Sequence, residues 1–88
     1  MIDFESFVNR ARWNWAKSYA KTAPHWYCVR AEFADDATFD AIVEHMRANS
    51  RTEYFFSKPF QYFYHGGFKY WTMGNPINET TIINRAKV

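Results

Sequence analysis

The chain of 88 residues contains one cysteine, three glycines and three prolines, and each scarcity removes a class of explanation. A lone thiol, Cys28, makes an intrachain disulfide impossible and rules out a zinc site built on cysteines. No glycine-rich phosphate loop is present, because Gly66-Gly67 is better explained as a turn. The apolar runs are a few residues long, far short of the roughly 20 that a membrane-spanning helix needs, and Glu5, Arg10 and Arg12 interrupt any cleavable leader pattern. With a single cysteine, these absences lead to the expectation of a cytoplasmic protein with no membrane partner. The net charge of +2 permits a polyanionic partner without demanding one. Three scattered histidines, His25, His45 and His65, show no metal-ligand spacing, so neither a metal nor a cofactor is expected.

What the chain has in excess is aromatic rings: nine Phe, six Tyr and four Trp, 22% of the residues. Each ring can bury about 150–250 Å². The length suits one domain over residues 1–88, and so thin a domain cannot enclose all of these rings. Some must stand at the surface, and that surplus is where function is sought.

Periodicity places the elements. Phe4, Phe7, Val8, Ala11, Trp15 and Tyr19 form one helical stripe, so a first helix is predicted from Phe4 to Lys21. Asp3 is its N-cap, Ile2 and Phe7 are spaced as a hydrophobic staple, and Pro24 ends it. Residues 25–33 alternate with a period of two. Tyr27, Val29, Ala31 and Phe33 are expected to point into the core, with Trp26, Cys28, Arg30 and Glu32 on the other face. Asp35 and Asp36 open a second helix with the stripe Phe39, Ile42, Val43 and Met46, ending near Asn49.

Gly66-Gly67 between two aromatic runs predicts a two-residue hairpin, because glycine accepts positive φ at both turn positions. That turn pairs His65 with Phe68, Tyr64 with Lys69, Phe63 with Tyr70 and Tyr62 with Trp71. A loop through Asn75, Pro76 and Asn78 leads to a last, β-branched strand over residues 80–86. The order is α-β-α-β-β-β. It implies an α+β two-layer sandwich, with two helices on one face of a mainly antiparallel four-stranded sheet and the other face open.

The open face is the first candidate site. On this register it collects Tyr62, Tyr64, Lys69 and Trp71 from the hairpin, with Trp26, Cys28 and Arg30 from the first strand. Aromatic rings beside cations suit stacked bases and phosphates; the same rings equally suit a dimer interface or the underside of a helix. Arg85, within an apolar strand, is expected at an edge or on this face, since an unpaired buried charge is costly. A second candidate is a basic helix face of Arg10, Trp13, Lys17 and Lys21, which could equally be a solvated surface. His25 beside Tyr27 and Arg30 offers acid–base chemistry next to an anion holder. His45 and His65 read as exposed. Cys28 has no neighbour that would activate it.

The strand His25-x-Tyr27-x-x-Arg30, with Tyr70-Trp71-Thr72-Met73-Gly74-x-Pro76 and Thr81-x-Ile83-Asn84-Arg85 downstream, resembles short bacterial and phage-type proteins to which we attach no activity. The resemblance covers roughly Pro24 to Arg85. It transfers no catalytic residue, but implies that His25, Tyr27, Arg30, Tyr70, Trp71, Asn84 and Arg85 act together. By association alone it implies a partner-binding or inhibitory role in a mobile element. The function expected from the residues is a small binding module that engages nucleic acid or a nucleotide through an aromatic, cationic sheet face. A protein–protein module or inhibitor using the same face, as a homodimer or with another partner, is the alternative, and a small enzyme using His25 and Arg30 is the third.

Overall fold

A computed structural model describes residues 3–16, 24–30, 36–73 and 82–88. Among these residues the fold is α+β, with two helices and a six-stranded antiparallel sheet in the order β1-β2-β6-β5-β4-β3. The elements are α1 (Phe4–Arg10), β1 (Asn14–Ala16), β2 (His25–Val29), α2 (Asp36–Ala48), β3 (Arg51–Phe55), β4 (Lys58–His65), β5 (Phe68–Met73) and β6 (Ile82–Lys87). The four-stranded expectation is therefore corrected to six. One added strand lies in the segment assigned to the first helix, and the other directly follows the second helix.

The first helix is seven residues long rather than eighteen. Asp3 caps it as expected, its carboxylate accepting from the Ser6 amide at 3.0 Å. The stop comes at Ala11, whose φ of −68° and ψ of 144° are extended, and Asn14–Ala16 then pair with β2. Tertiary pairing has overridden a helical stripe, and Trp15 suits a strand at least as well as a helix. Ile2, Lys17, Tyr19, Lys21, Ala31, Glu32, Phe33, Asp35, residues 74–79 and Thr80 lie outside the described residues.

The second helix matches its stripe. Phe39, Ile42, Val43 and Met46 are all buried, and they meet Phe4, Phe7, Cys28, Tyr70 and Ile83 in one core. The sheet residues in that core define its helix-covered face. Strand pairing carries the face outward through Trp26, Arg85 and Phe63. The first strand is therefore inverted relative to expectation: Cys28 is fully buried against the helices, and Tyr27 takes the opposite face. HWYCV is apolar on both alternating sets, so periodicity could not choose between them.

The Gly66-Gly67 hairpin has the expected register, with Phe63 opposite Tyr70, Tyr64 opposite Lys69 and His65 opposite Phe68. Both glycines have positive φ, 58° and 82°. β4 changes partners midway: Phe63–His65 pair with β5, whereas Lys58–Tyr62 pair with β3. The β3–β4 hairpin thus forms an arm beyond the paired part of β5, and Pro59, with no N–H to give, sits in that one-sided stretch. Its turn is made by Phe56 and Ser57 at φ 52° and 64°, a region that bulky side chains rarely adopt.

That turn generates a prediction. Replacing Phe56→Asn together with Ser57→Gly relieves two unfavourable backbone conformations and should stabilise the fold by about 1–3 kcal/mol. The measurement is urea denaturation, with a raised midpoint at unchanged slope; an unmoved midpoint would show that the turn holds no such strain.

Candidate functional site

The sheet face opposite the helices is built in rows that run across the strands. The central row reads Asn14, Tyr27, Asn84, Trp71 through successive pairings of β1, β2, β6 and β5. It continues with Tyr62, on the same face as Tyr64 and in ring contact with Trp71, and ends at Arg51, paired with Tyr62. Beside it lie Ala16, His25, Ala86, Lys69 and Tyr64. On the other side lie Val29, Ile82, Met73, Phe60 and Glu53. Alternation alone sets which side chains share this face, because one residue's shift in register would exchange it for the core.

Its rings are in contact. Trp71 meets Tyr62 edge-on at 5.7 Å between centroids, and Tyr62 stacks with Phe60 at 6.4 Å. His25 reaches across β6 to within 5.9 Å of Trp71. Two cations lie over this surface: the Lys69 ammonium stands 4.6 Å from the Tyr62 centroid, and the Arg51 guanidinium 5.0 Å from that of Tyr64. Glu53 is the acidic member, and it accepts a hydrogen bond from the Tyr64 hydroxyl. That bond, then desolvation, hold the Tyr64 phenol above its ordinary range.

The residues expected from the sequence divide between the two faces. Tyr62, Tyr64, Lys69 and Trp71 share the open face with His25, Tyr27 and Asn84. Trp26, Arg30, Tyr70 and Arg85 do not. Arg30 pairs with Asp40 of α2 at 2.5 Å and lies 4.8 Å over the Phe39 ring, so it ties the end of β2 to the helix. Arg85 is neither at an edge nor on the open face. β6 is flanked by β2 and β5, and the Arg85 guanidinium lies between the Trp13 and Phe68 rings, 4.4 and 4.5 Å from their centroids. Trp26 faces Trp15 at 5.1 Å and Phe68 at 6.2 Å.

The basic helix face is also corrected. Helix α1 ends at Arg10, and Trp13 is folded back, donating from its indole N–H to the Val8 carbonyl at 3.0 Å. His45 and His65, expected to be exposed, are packed: His45 lies 5.3 Å from the Phe63 ring, and His65 joins Glu5 at 2.6 Å. His25 and Arg30 are separated by the sheet, which removes the geometry on which paired acid–base and anion-holding roles would depend.

Two residues of the open face fall outside the expected face: periodicity assigns Tyr27 to the core, and Asn84 enters only through the resemblance. Their signal is the pairing of β6 with β2 and β5, which cannot be read from one strand alone. Among the described residues, no group of three or more His, Cys, Asp or Glu side chains could hold a metal ion, and no helix is long and apolar enough to cross a membrane. A hollow of about 150 Å³ where α2 meets β4 and β5 is lined by Met46, Ser50, Gln61 and Trp71. It is smaller than the roughly 300–1,000 Å³ of ordinary small-molecule pockets.

Tyr70, buried beneath the helices, supplies a pH prediction. Burial raises its phenol above the ordinary 10.0, and a hydrogen bond from Arg85 only partly offsets this. Below about pH 10 the proton is on the ring in both states. Above it, the unfolded chain releases the proton first, so stability is lost as pH rises through that range. Denaturation midpoints should therefore fall above pH 10, and less steeply in Tyr70→Phe; equal slopes would refute the assignment. No protein-family model matches this chain, and no curated protein or solved structure matches it either.

Proposed function

We propose that this protein binds single-stranded nucleic acid on the open sheet face, with bases stacked on Tyr62, Trp71 and Tyr27 and phosphates near Lys69 and Arg51. The observation that carries the reading is the continuous ring surface His25–Trp71–Tyr62–Phe60, edged by two cations and backed by a rigid sheet. Stacking tolerates any base because every base has a π-face, and an extended strand can follow a flat row where an enclosed ligand has no pocket. Duplex grooves call instead for a protruding reading element. Unpaired bases suit a platform.

The test is fluorescence anisotropy with labelled oligonucleotides. Tyr62→Ala and Trp71→Ala should each weaken binding by about 1–3 kcal/mol, roughly 5- to 150-fold, and wild-type affinity should fall with rising salt as counterions are released. Folded variants that bind like wild type would end the proposal.

A second reading follows from a different observation. Tyr54, Phe55 and Phe56 at the tip of the β3–β4 arm are 73%, 65% and 86% exposed, and β3 is an edge strand of the sheet among the described residues. Exposed aromatic patches of this kind mark protein partners. Analytical ultracentrifugation distinguishes one such partner, a second copy: a dimer lost in Phe55→Ser with Phe56→Ser would favour it, whereas a concentration-independent monomer would remove it.

A further inference from the structure

Among the described residues two buried side-chain nitrogens lack a hydrogen-bond partner, Arg85 Nε beneath the helices and Asn84 Nδ2 on the open face. Asn84 lies near the middle of the central row on β6, opposite Tyr27 on one side and Trp71 on the other. It is 2% exposed, and among the described residues its amide nitrogen has no hydrogen-bond partner. A buried donor without an acceptor is an unfavourable thing to keep in a sheet, and apolar residues of similar shape would avoid the cost. The neighbouring position on the same face, Ala86, is small and likewise buried.

Directly across this pair of residues, His25 and Trp71 approach from β2 and β5, with 5.9 Å between their centroids and 43° between their planes. A flat base held between two rings needs two stacking distances, about 7 Å in all. A sandwich would need the two rings to part by about 1 Å and their planes to turn through the 43° between them, a change of side-chain rotamer rather than of the strands. A base entering there would bring its edge down onto β6, over the small Ala86 and against the unpaired amide. Lys69, on the neighbouring strand beside Ala86, is placed to meet the attached phosphate.

We propose that Asn84 is the base-reading residue of this protein: one unpaired nucleobase inserts between His25 and Trp71, and a carbonyl oxygen or ring nitrogen on its edge accepts the Asn84 Nδ2 hydrogen bond. This rests on the reading of the open face as a single-strand site and adds selectivity to it. Stacking on the outer rings sets general affinity. The buried amide sets which base occupies one position, because a base that offers no acceptor there leaves the donor unpaired.

The experiment compares wild type, Asn84→Leu and Asn84→Ala in anisotropy titrations against four homopolymeric oligonucleotides and one abasic oligomer, with melting temperature recorded for each protein. Wild type should prefer one homopolymer. In Asn84→Leu that preferred affinity should drop by about 2- to 13-fold, the range of a lost hydrogen bond to a neutral group, while abasic binding is unchanged and melting temperature rises. Asn84→Ala should lose the same preference even if its melting temperature falls. A merely structural asparagine would change the melting temperature and leave the preference among homopolymers intact, and that result would overturn this inference alone. A wild-type protein that binds none of the five oligomers would overturn the platform reading, and this inference with it.

Discussion

The sheet is held together by the insertion of β6 between β2 and β5. Those two strands belong to different parts of the chain: among the described residues, β2 pairs with β1 and β6, and β5 with β4 and β6. Without Ile82–Lys87 the sheet is two separate pieces. With it, Ile83 enters the core beside Cys28 and Tyr70, Arg85 fills the space between Trp13 and Phe68, and Asn84 and Ala86 occupy the centre of the opposite face. One strand of six residues therefore supplies the hydrophobic contact, the cation beneath the helices and the middle of the proposed site. Because it brings together positions far apart in sequence, loop-closure entropy opposes this step until pairing and burial outweigh it.

Much of the fold was legible where local chemistry and tertiary structure agree. Phe39, Ile42, Val43 and Met46 have one face and one period, and the helix they predict is the helix that forms. Gly66-Gly67 announces its turn because glycine adopts two consecutive positive φ values without the side-chain clash that most residue types meet there. Strand β3 escaped notice for the converse reason. Its turn uses Phe56 and Ser57, which carry no turn signal, and the arm is solvent-exposed on both faces, so its residues show no burial period. Strand β1 was hidden by a stripe that suits a helix through Trp15 and Tyr19, with neither Gly nor Pro between Ala11 and Ala16 to mark the stop.

The candidate site was legible by halves. Tyr62, Tyr64, Lys69 and Trp71 follow from the glycine turn, since a two-residue loop fixes register and register fixes the face. The contribution of β2 was not legible, because Trp26 and Cys28 are as apolar as Tyr27 and Val29, and only the pairing with β6 decides which set meets the helices. The cations divided for a related reason. Arg30 and Arg85 have partners that sequence cannot display: a carboxylate on α2 and two aromatic rings from distant segments. Once these arginines are committed beneath the helices, the cations left to the open face among the described residues are Lys69, Arg51 and, near the tip of the arm, Lys58. This favours a partner recognised chiefly through ring surface rather than through charge.

The position of β6 also determines how occupancy of the proposed site would be felt by the molecule. His25 and Trp71 stand on strands that meet only through β6, so the two rings cannot hold their separation unless the whole sheet is assembled. On the proposed reading, recognition and global folding would be one cooperative unit rather than a scaffold carrying an independent loop. A ligand bound across β6 would not order a local segment. It would shift the folding equilibrium of the entire domain by mass action, and hydrogen exchange would slow in the core around Ile83 and Tyr70 as well as at the bound surface.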